Sequence, residues 1–600
     1  AFVESIVVRD NWVEEKTGTE VVVLSKNAQD YVDAELLNES EELRMYATYL
    51  DRVLLLLTSS TVISTTNDVR RLYMPVKRNE QGHLDNYHIL ATLLDGVMLG
   101  LFVDIAQPEF LDTRVIHLPN LAEPIPLPLG QIEDNVQLIL SSAKALGMRL
   151  PTFDPSAWVD PKQNVSVLLA LLKDLCDRHL QTYFNVSKHP ELIRLAADNE
   201  DSEAIGQLTS YHWIPRWMNN LQKRPLHKKI DDFNLEMFNT MAEIDKDFLS
   251  RAPVSKYTDN PAAACGYMID FAIKDWKVVT NIEVQDLLDN NRLLQDLFAA
   301  QVFDTNSGLS KLTKKEEKQF QSIHLDTTVQ SADDSMCNFI NSLLPADLMI
   351  HNLKKDLSDG VVVCKILDKV KPGCINWEKV RDKDKVRHKF DKMNNWVFIQ
   401  IKYAKQGKQA MEVAMRDLNL KMINASGQDL HDGNQKIIHS LLWQIMRFQA
   451  MKTLSSLSFG GKPVEEKDIL DWCNNTLLQI NSNDRHSEAI QGFKDRHLTT
   501  CIFYIEILKV ILPGAVKDDI VYWDVTPLQD LHKREEDEDM YRKRLANAKY
   551  AMTLARREGA ELFILPEDLV TLEPKAVLSI MASLMTIGFQ KKNSKQNRVK

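Results

Sequence analysis

The sequence predicts an all-α chain built from four copies of one helical unit, and three observations carry that expectation. Helix breakers are scarce: 20 Gly and 21 Pro in 600 residues fall below the usual combined share of about 12%. Apolar residues recur at helical spacing, most clearly in 426–448, SGQDLHDGNQKIIHSLLWQIMRF. There Ile437, Ile438, Leu441, Leu442, Ile445 and Met446 make one stripe behind a turn rich in Gly, Asp and Asn. The third observation is repetition. An Asp-Gly pair heads an apolar helix at Asp95-Gly96 and again at Asp359-Gly360, and an Asn precedes a Gly by twelve positions at Asn135/Gly147 and at Asn547/Gly559.

Taken in order, residues 1–36 lack a strong helical period and form an N-terminal extension. The first unit, 37–190, places Leu43, Tyr46, Ala47, Leu50, Leu54 and Leu57 on one helical face. It continues through the Asp-Gly helix at 87–105 and a Pro-rich loop at 121–130, and closes with Val165, Leu168, Leu169, Leu172 and Leu175. The second unit, 200–305, opens with the amphipathic 211–221, YHWIPRWMNNL, and has a helix at 234–241 with no Asp-Gly pair. The polar, Lys-rich 306–332 is expected to be a linker. The third unit, 333–452, runs from DLSDGVVVCKILDKVKPGCINW (356–377) to the helix at 437–446, and the fourth is 463–590. A basic tail, 591–600, ends the sequence.

Six hundred residues at about 100 to 200 per domain suit several domains with separate cores. The net charge of −11 argues against nucleic acid as the main partner, because phosphate binding needs a basic face, though it leaves room for a local basic patch. The longest apolar runs, 53–57 and 97–103, fall well short of the roughly 18 residues that span a bilayer. With no signal peptide pattern at its start, the chain is expected to be soluble and intracellular, with no membrane partner. Seven scattered cysteines without a C-x-x-C spacing suit reduced, buried thiols.

No motif offers catalysis, so the expectation is a non-enzyme without cofactor or metal. Asp95 and Asp359 each sit beside a Gly at a helix start, where a carboxylate satisfies unpaired N–H groups. His179, His388, His431 and His497 are isolated, and neither H-E-x-x-H nor a phosphate-cradling Gly-rich loop occurs. Trp213, Trp217, Trp377, Trp443 and Trp472 fall on apolar stripes and are expected in cores, an exposed one marking an interface.

The strings GQDLHDGNQ, LLWQIMR, GFKDRH, NAKYAMTLARREGA and LPEDLV, in that order along 427–570, resemble signatures of the fimbrin/plastin family of actin-bundling proteins. The likeness extends from Glu41 to Gln590 and is strongest in the C-terminal half. It implies four calponin-homology domains in two tandem pairs, each pair presenting a surface to an actin filament, in a monomer with two filament-binding sites located in the cytoskeleton of the cytoplasm. The family usually carries two EF-hands before the first unit. Residues 1–40 hold no D-x-[DN]-x-[DN]-G-x5-E pattern, and DTNSGL at 304–309 has Leu309 where the loop requires Gly. Bundling independent of calcium is therefore expected.

By position, the resemblance assigns actin contacts to Arg44, Tyr49, Arg52, Lys162, Lys173 and Arg216 in the N-terminal pair. In the C-terminal pair it assigns them to Lys436, Gln444, Arg447 and Lys467, with 334–344 and 467–471 as the flanking exposed helices. The alternative is a structural calponin-homology protein docked on a microtubule-based assembly such as a ciliary axoneme, with microtubules or axonemal proteins as partners.

Overall fold

The computed structural model describes residues 45–46, 48–50, 52–53, 93, 95–118, 127–151, 153–158, 161–186, 188–197, 200, 205, 208–314, 316, 332–345, 348–377, 396–422, 425–458, 463–528 and 538–599. Regular structure among them is entirely helical. The chain divides into two compact units, Ala1–Val136 with Leu150–Val329, and Gln137–Arg149 with Gln330–Lys600. The N-terminal extension, Arg44 and most of the Pro-rich loop lie outside the described residues.

In the first unit the helices are α1 (Val97–Ala106), the start of α2 (Leu129–Ala145, which belongs to the second unit from Gln137) and α3 (Pro161–Tyr183), then α4 (Ser210–Leu221), α5 (Phe233–Ile244), α6 (Pro261–Lys274) and α7 (Arg292–Thr305). In the second they are α8 (Ala332–Leu343), α9 (Val361–Val370), α10 (Trp396–Asp417) and α11 (Gln435–Leu457), then α12 (Glu466–Leu477), α13 (Ile502–Ile511), α14 (Glu538–Arg557) and α15 (Pro574–Val599). In the second, third and fourth domains one plan recurs: an opening helix, a capped apolar helix, a third helix, a one-turn helix and a closing helix. The first domain shows its capped, third and closing helices as α1, α2 and α3. In each unit the two closing helices pack on each other, α3 on α7 and α11 on α15.

The Asp-Gly pairs act as the sequence suggests. Gly96 and Gly360 take left-handed φ values of 74° and 73° just before α1 and α9, and Asp95 and Asp359 each accept the next N–H but one, from Val97 and Val361, at 2.9 Å. The fourth domain makes the same turn without glycine. Cys501 carries φ 59° ahead of α13 while the Thr500 hydroxyl takes the place of the carboxylate, 3.3 Å from Ile502 N. A non-glycine residue there costs about 1 to 2 kcal/mol, offset by complete burial of Cys501.

The Asn–Gly repeat also has a physical basis. Asn135 donates to the Asp95 and His117 carbonyls at 2.9 and 3.0 Å and accepts His117 N at 2.9 Å. Asn547 donates to Thr500 and Tyr522 carbonyls at 3.2 and 2.9 Å and accepts Tyr522 N at 3.0 Å. In both domains one side chain ties the long third helix to the capped turn and to the loop after it.

The one-turn helices are a third repeat: Asp286, Asp429 and Asp568 reach back to the N–H groups of Glu283, Ser426 and Leu565 at 2.8, 2.8 and 3.1 Å. Four positions later Asn290, Gly433 and Leu572 turn the chain with φ of 53°, 69° and 61°. The helix at Gly427–His431 also presses its backbone on α10. A Cβ on Gly427 would stand 2.0 Å from Lys408 N and 2.6 Å from the Gly407 carbonyl carbon. Backbone cannot swing aside, so Gly427→Ala is expected to destabilise the third domain by at least about 1 to 3 kcal/mol in urea unfolding. An unchanged midpoint would mean the two elements part easily.

Three expectations about packing change. Trp213 and Trp217 are buried, but Trp377 is 41% exposed, its ring held by a hydrogen bond from Nε1 to Asp368 at 3.1 Å. Trp443 and Trp472 are half-buried. On α3 the buried stripe runs Leu168, Leu171, Leu172, Leu175, with Leu169 only half-buried. The start of the expected linker belongs to the first unit, since Trp217 Nε1 donates to Ser307 O at 2.7 Å and Arg194 grips Ser310 Oγ and Lys311 O at 2.7 and 3.0 Å.

Candidate functional site

In the second unit the candidate surface is built on α11. Ile438, Leu441, Leu442 and Ile445 repeat at i, i+3, i+4 and i+7 and are fully buried, which commits the opposite face to solvent. Lys436 and Arg447 lie on that exposed face. Eleven positions are close to three full turns, so the two cations share one side about 16 Å apart. Arg447 Nε reaches Glu466 Oε1 at 2.5 Å, where α12 begins, and the exposed Lys467 follows it. Such a half-exposed ion pair contributes little to stability but fixes where the charges sit.

Gln444 serves a different purpose. Its carboxamide accepts Lys421 N at 2.6 Å and donates to Lys421 O at 2.8 Å, so it pins the segment after α10 rather than facing outward. Sequence reasoning missed two neighbours, Gln435 and His439, which reach Asp333 at 3.4 and 2.6 Å and tie α11 to the first turn of α8. Their polar spacing on α11 carries no signal of a partner 102 positions away.

In the first unit the structure corrects two expected contacts. Tyr49 is fully buried, its hydroxyl 2.7 Å from His179 Nδ1 and its ring tilted against Phe102. Burial lowers His179 to about 4, so the imidazole is neutral. Arg52 is 3% exposed and forms a two-pronged pair with Asp286 at 2.7 and 3.0 Å, with Glu283 Oε2 at 3.1 Å. It joins the opening helix of the first domain to the one-turn helix of the second. Neither residue faces solvent, because their helix is buried on a wider arc than its leucines indicated.

Arg216 is half-buried and committed within the unit: its guanidinium donates to both Glu200 oxygens at 2.6 and 2.7 Å and to Leu195 O at 3.1 Å. Those hydrogen bonds hold Glu200 down at about 2, against 4.5 ordinarily. A carboxylate depressed on folding adds stability above its unfolded pKa and loses it as pH falls toward the folded value. Arg216→Ala is therefore expected to cost about 1 to 2 kcal/mol near neutral pH, and the gap from the parent should narrow between about pH 5 and about pH 3. Thermal unfolding across that range checks it, and a parent-like midpoint at pH 7 would contradict the tie. Lys173 is exposed on α3, and Lys162 falls in the first turn of the same helix.

These surfaces offer charge and shape rather than reactive groups. Burial pushes the Cys364 thiol up to about 12 and raises Cys337, Cys473 and Cys501 further, far from nucleophilic thiolates. Among the described residues no group of His, Cys, Asp and Glu is arranged to hold a metal, and no helix is long and apolar enough to cross a membrane. Asp304, in the DTNSGL segment, is occupied by Lys188 and by His189 Nε2 at 2.9 Å.

Comparison with known proteins gives this architecture a lineage. The Calponin homology (CH) domain profile matches residues 330–450 and 463–589. Fimbrin-2 of Arabidopsis thaliana is 27% identical over 500 residues, covering 82% of this chain and 70% of the relative. Plastin-1 of Mus musculus is 26% identical over 520 residues, covering 84% and 75%. The crystal structure of the actin-crosslinking core of Schizosaccharomyces pombe fimbrin superposes with a TM-score of 0.63 at 21% identity, over 91% of this chain and all of that one; at that identity the likeness speaks for the fold. The domain matches place calponin homology domains in the C-terminal half, and the long alignments make the chain as a whole similar to fimbrins and plastins.

Proposed function

We propose that this protein crosslinks actin filaments into bundles, as a cytoskeletal component of the cytoplasm, with each tandem pair supplying one filament contact. The observation that carries this is the presence of two tandem pairs, each with its own pair of packed closing helices, in one chain. A single chain is then bivalent without dimerising, and the first contact raises the effective concentration of the second. Its relatives bear the names fimbrin and plastin, and the solved neighbour is described as an actin-crosslinking core. The role is structural rather than catalytic. Lys436, Arg447 and Lys467 in one pair and Lys173 with Lys162 in the other are the contacts we assign.

Bundling by this 600-residue chain is proposed to be indifferent to calcium, since DTNSGL lacks the loop glycine and the Asp304 carboxylate is already engaged. Low-speed pelleting of actin filaments with and without micromolar calcium should give superimposable curves. A calcium-dependent shift would refute that part. Pelleting with microtubules but not with actin filaments would overturn the whole proposal.

A further inference from the structure

The loop between α4 and α5, LQKRPLHKK at 221–229, concentrates positive charge in a chain whose net charge is −11. Its backbone is held from inside. Asn219, fully buried, donates to the Leu226 and Lys228 carbonyls at 3.3 and 2.7 Å, and Gln222 bridges to Glu236 O and Thr240 Oγ1 at 3.1 and 3.0 Å. Arg224 is spent on this framework, both guanidinium nitrogens engaging the Glu236 carboxylate.

What the framework presents is a row of exposed lysines. Lys223, Lys228 and Lys229 face solvent, as does His227 between them. Among the described residues no carboxylate lies within ion-pair distance of Lys223 or Lys228, while Lys229 meets Asp231 at 3.6 Å with both side chains more than four-fifths exposed. The other nearby acid, Asp232, is occupied capping α5 through Leu235 N at 3.1 Å. Lys223 also closes α4 at φ 54°, with Arg224 N returning to Asn219 O at 2.8 Å. That left-handed closing position favours glycine, yet it carries a lysine.

We propose that Lys223, Lys228 and Lys229 are a fixed basic tip that takes an acidic segment of the filament, adding an electrostatic contact to the N-terminal pair. The inference rests on the filament reading above. Magnitude favours this partner over a lipid surface. One exposed charge contact strengthens binding roughly two- to five-fold, so three give roughly 10- to 100-fold. That is too little to recruit a chain from solution, but enough to secure a partner that bivalency already holds close. A membrane site would call for four or more free cations with an apolar anchor, and Leu226 is half-buried.

The test uses the full chain with Lys223→Gln, Lys228→Gln and Lys229→Gln combined. The concentration at which it bundles actin filaments should rise about 10-fold or more at about 50 mM salt, and the difference should shrink at about 200 mM as screening grows. Its unfolding midpoint should match the parent. Lys223→Gly alone should keep or raise the midpoint while weakening bundling, which a purely structural lysine would not do. Bundling at the parent concentration at both salts would overturn the basic tip alone, whereas a parent chain that fails to pellet with filaments would overturn the filament reading and the tip with it. Flotation on phosphatidylserine vesicles that disappears in the triple variant would replace the acidic segment with a membrane.

Discussion

Leu442→Ala is expected to remove about 2 to 5 kcal/mol from the third calponin-homology domain, the usual cost of a large-to-small change in a core that cannot fully collapse. Leu442 has no exposed surface and sits in one continuous cluster with Leu441, Ile445, Leu367, Ile340 and Phe563. Contacts from α8, α9 and the chain before α15 converge there, so a cavity at Leu442 has walls on several elements. Lys436→Ala, on the opposite face of α11, should leave stability within about 0.5 kcal/mol. Urea unfolding of the two variants checks the pair, and equal losses would mean that the buried and exposed faces are reversed.

Arg52→Ala should cost a comparable amount, about 3 to 5 kcal/mol, for a different reason. Its partner Asp286 has a side chain only 5% exposed, and removing the guanidinium leaves that carboxylate buried without its counterion. Asp286 also caps its own one-turn helix through Glu283 N at 2.8 Å, so the loss reaches the second domain as well. Removing both charges together, Arg52→Met with Asp286→Asn, should recover part of the loss, because no uncompensated charge stays buried and the carboxamide oxygen can still accept the Glu283 N–H. An Arg52→Ala protein with parent-like unfolding and weakened filament binding would return Arg52 to the surface role that the resemblance assigned.

Arg52 also shows where a sequence stops being informative. Local signals were legible: Asp95-Gly96 and Asp359-Gly360 are caps because a carboxylate and a left-handed glycine act on the next few residues, and the α11 stripe declares its buried face by period alone. The turn at Thr500-Cys501 was not legible, since a hydroxyl and a strained cysteine reproduce that geometry without its usual letters. The x-Asp-Leu repeat at 285–287, 428–430 and 567–569 was present in the sequence. Its mechanism became plain only when each Asp was seen to reach back to its own helix start.

The candidate contacts divide along the same line. Lys173, Lys436, Arg447 and Lys467 are exposed as their helical positions indicated. Arg52 and Arg216 are taken by Asp286 and Glu200, and Gln444 by the backbone of Lys421. Arg52 and Asp286 stand 234 positions apart, and no helical periodicity reports a partner at that separation. Position on a polar arc names a candidate; only the tertiary partner decides whether the charge is free to meet another protein.

Comparing the full chain with the 330–590 fragment in actin pelleting tests bivalent crosslinking most directly. The fragment holds both matched calponin-homology domains and the closing-helix pair α11 and α15. It should pellet with filaments at high speed without driving them into low-speed bundles, whereas the full chain should do both. A fragment that bundles as well as the full chain, or one that binds no filament at all, would contradict the account.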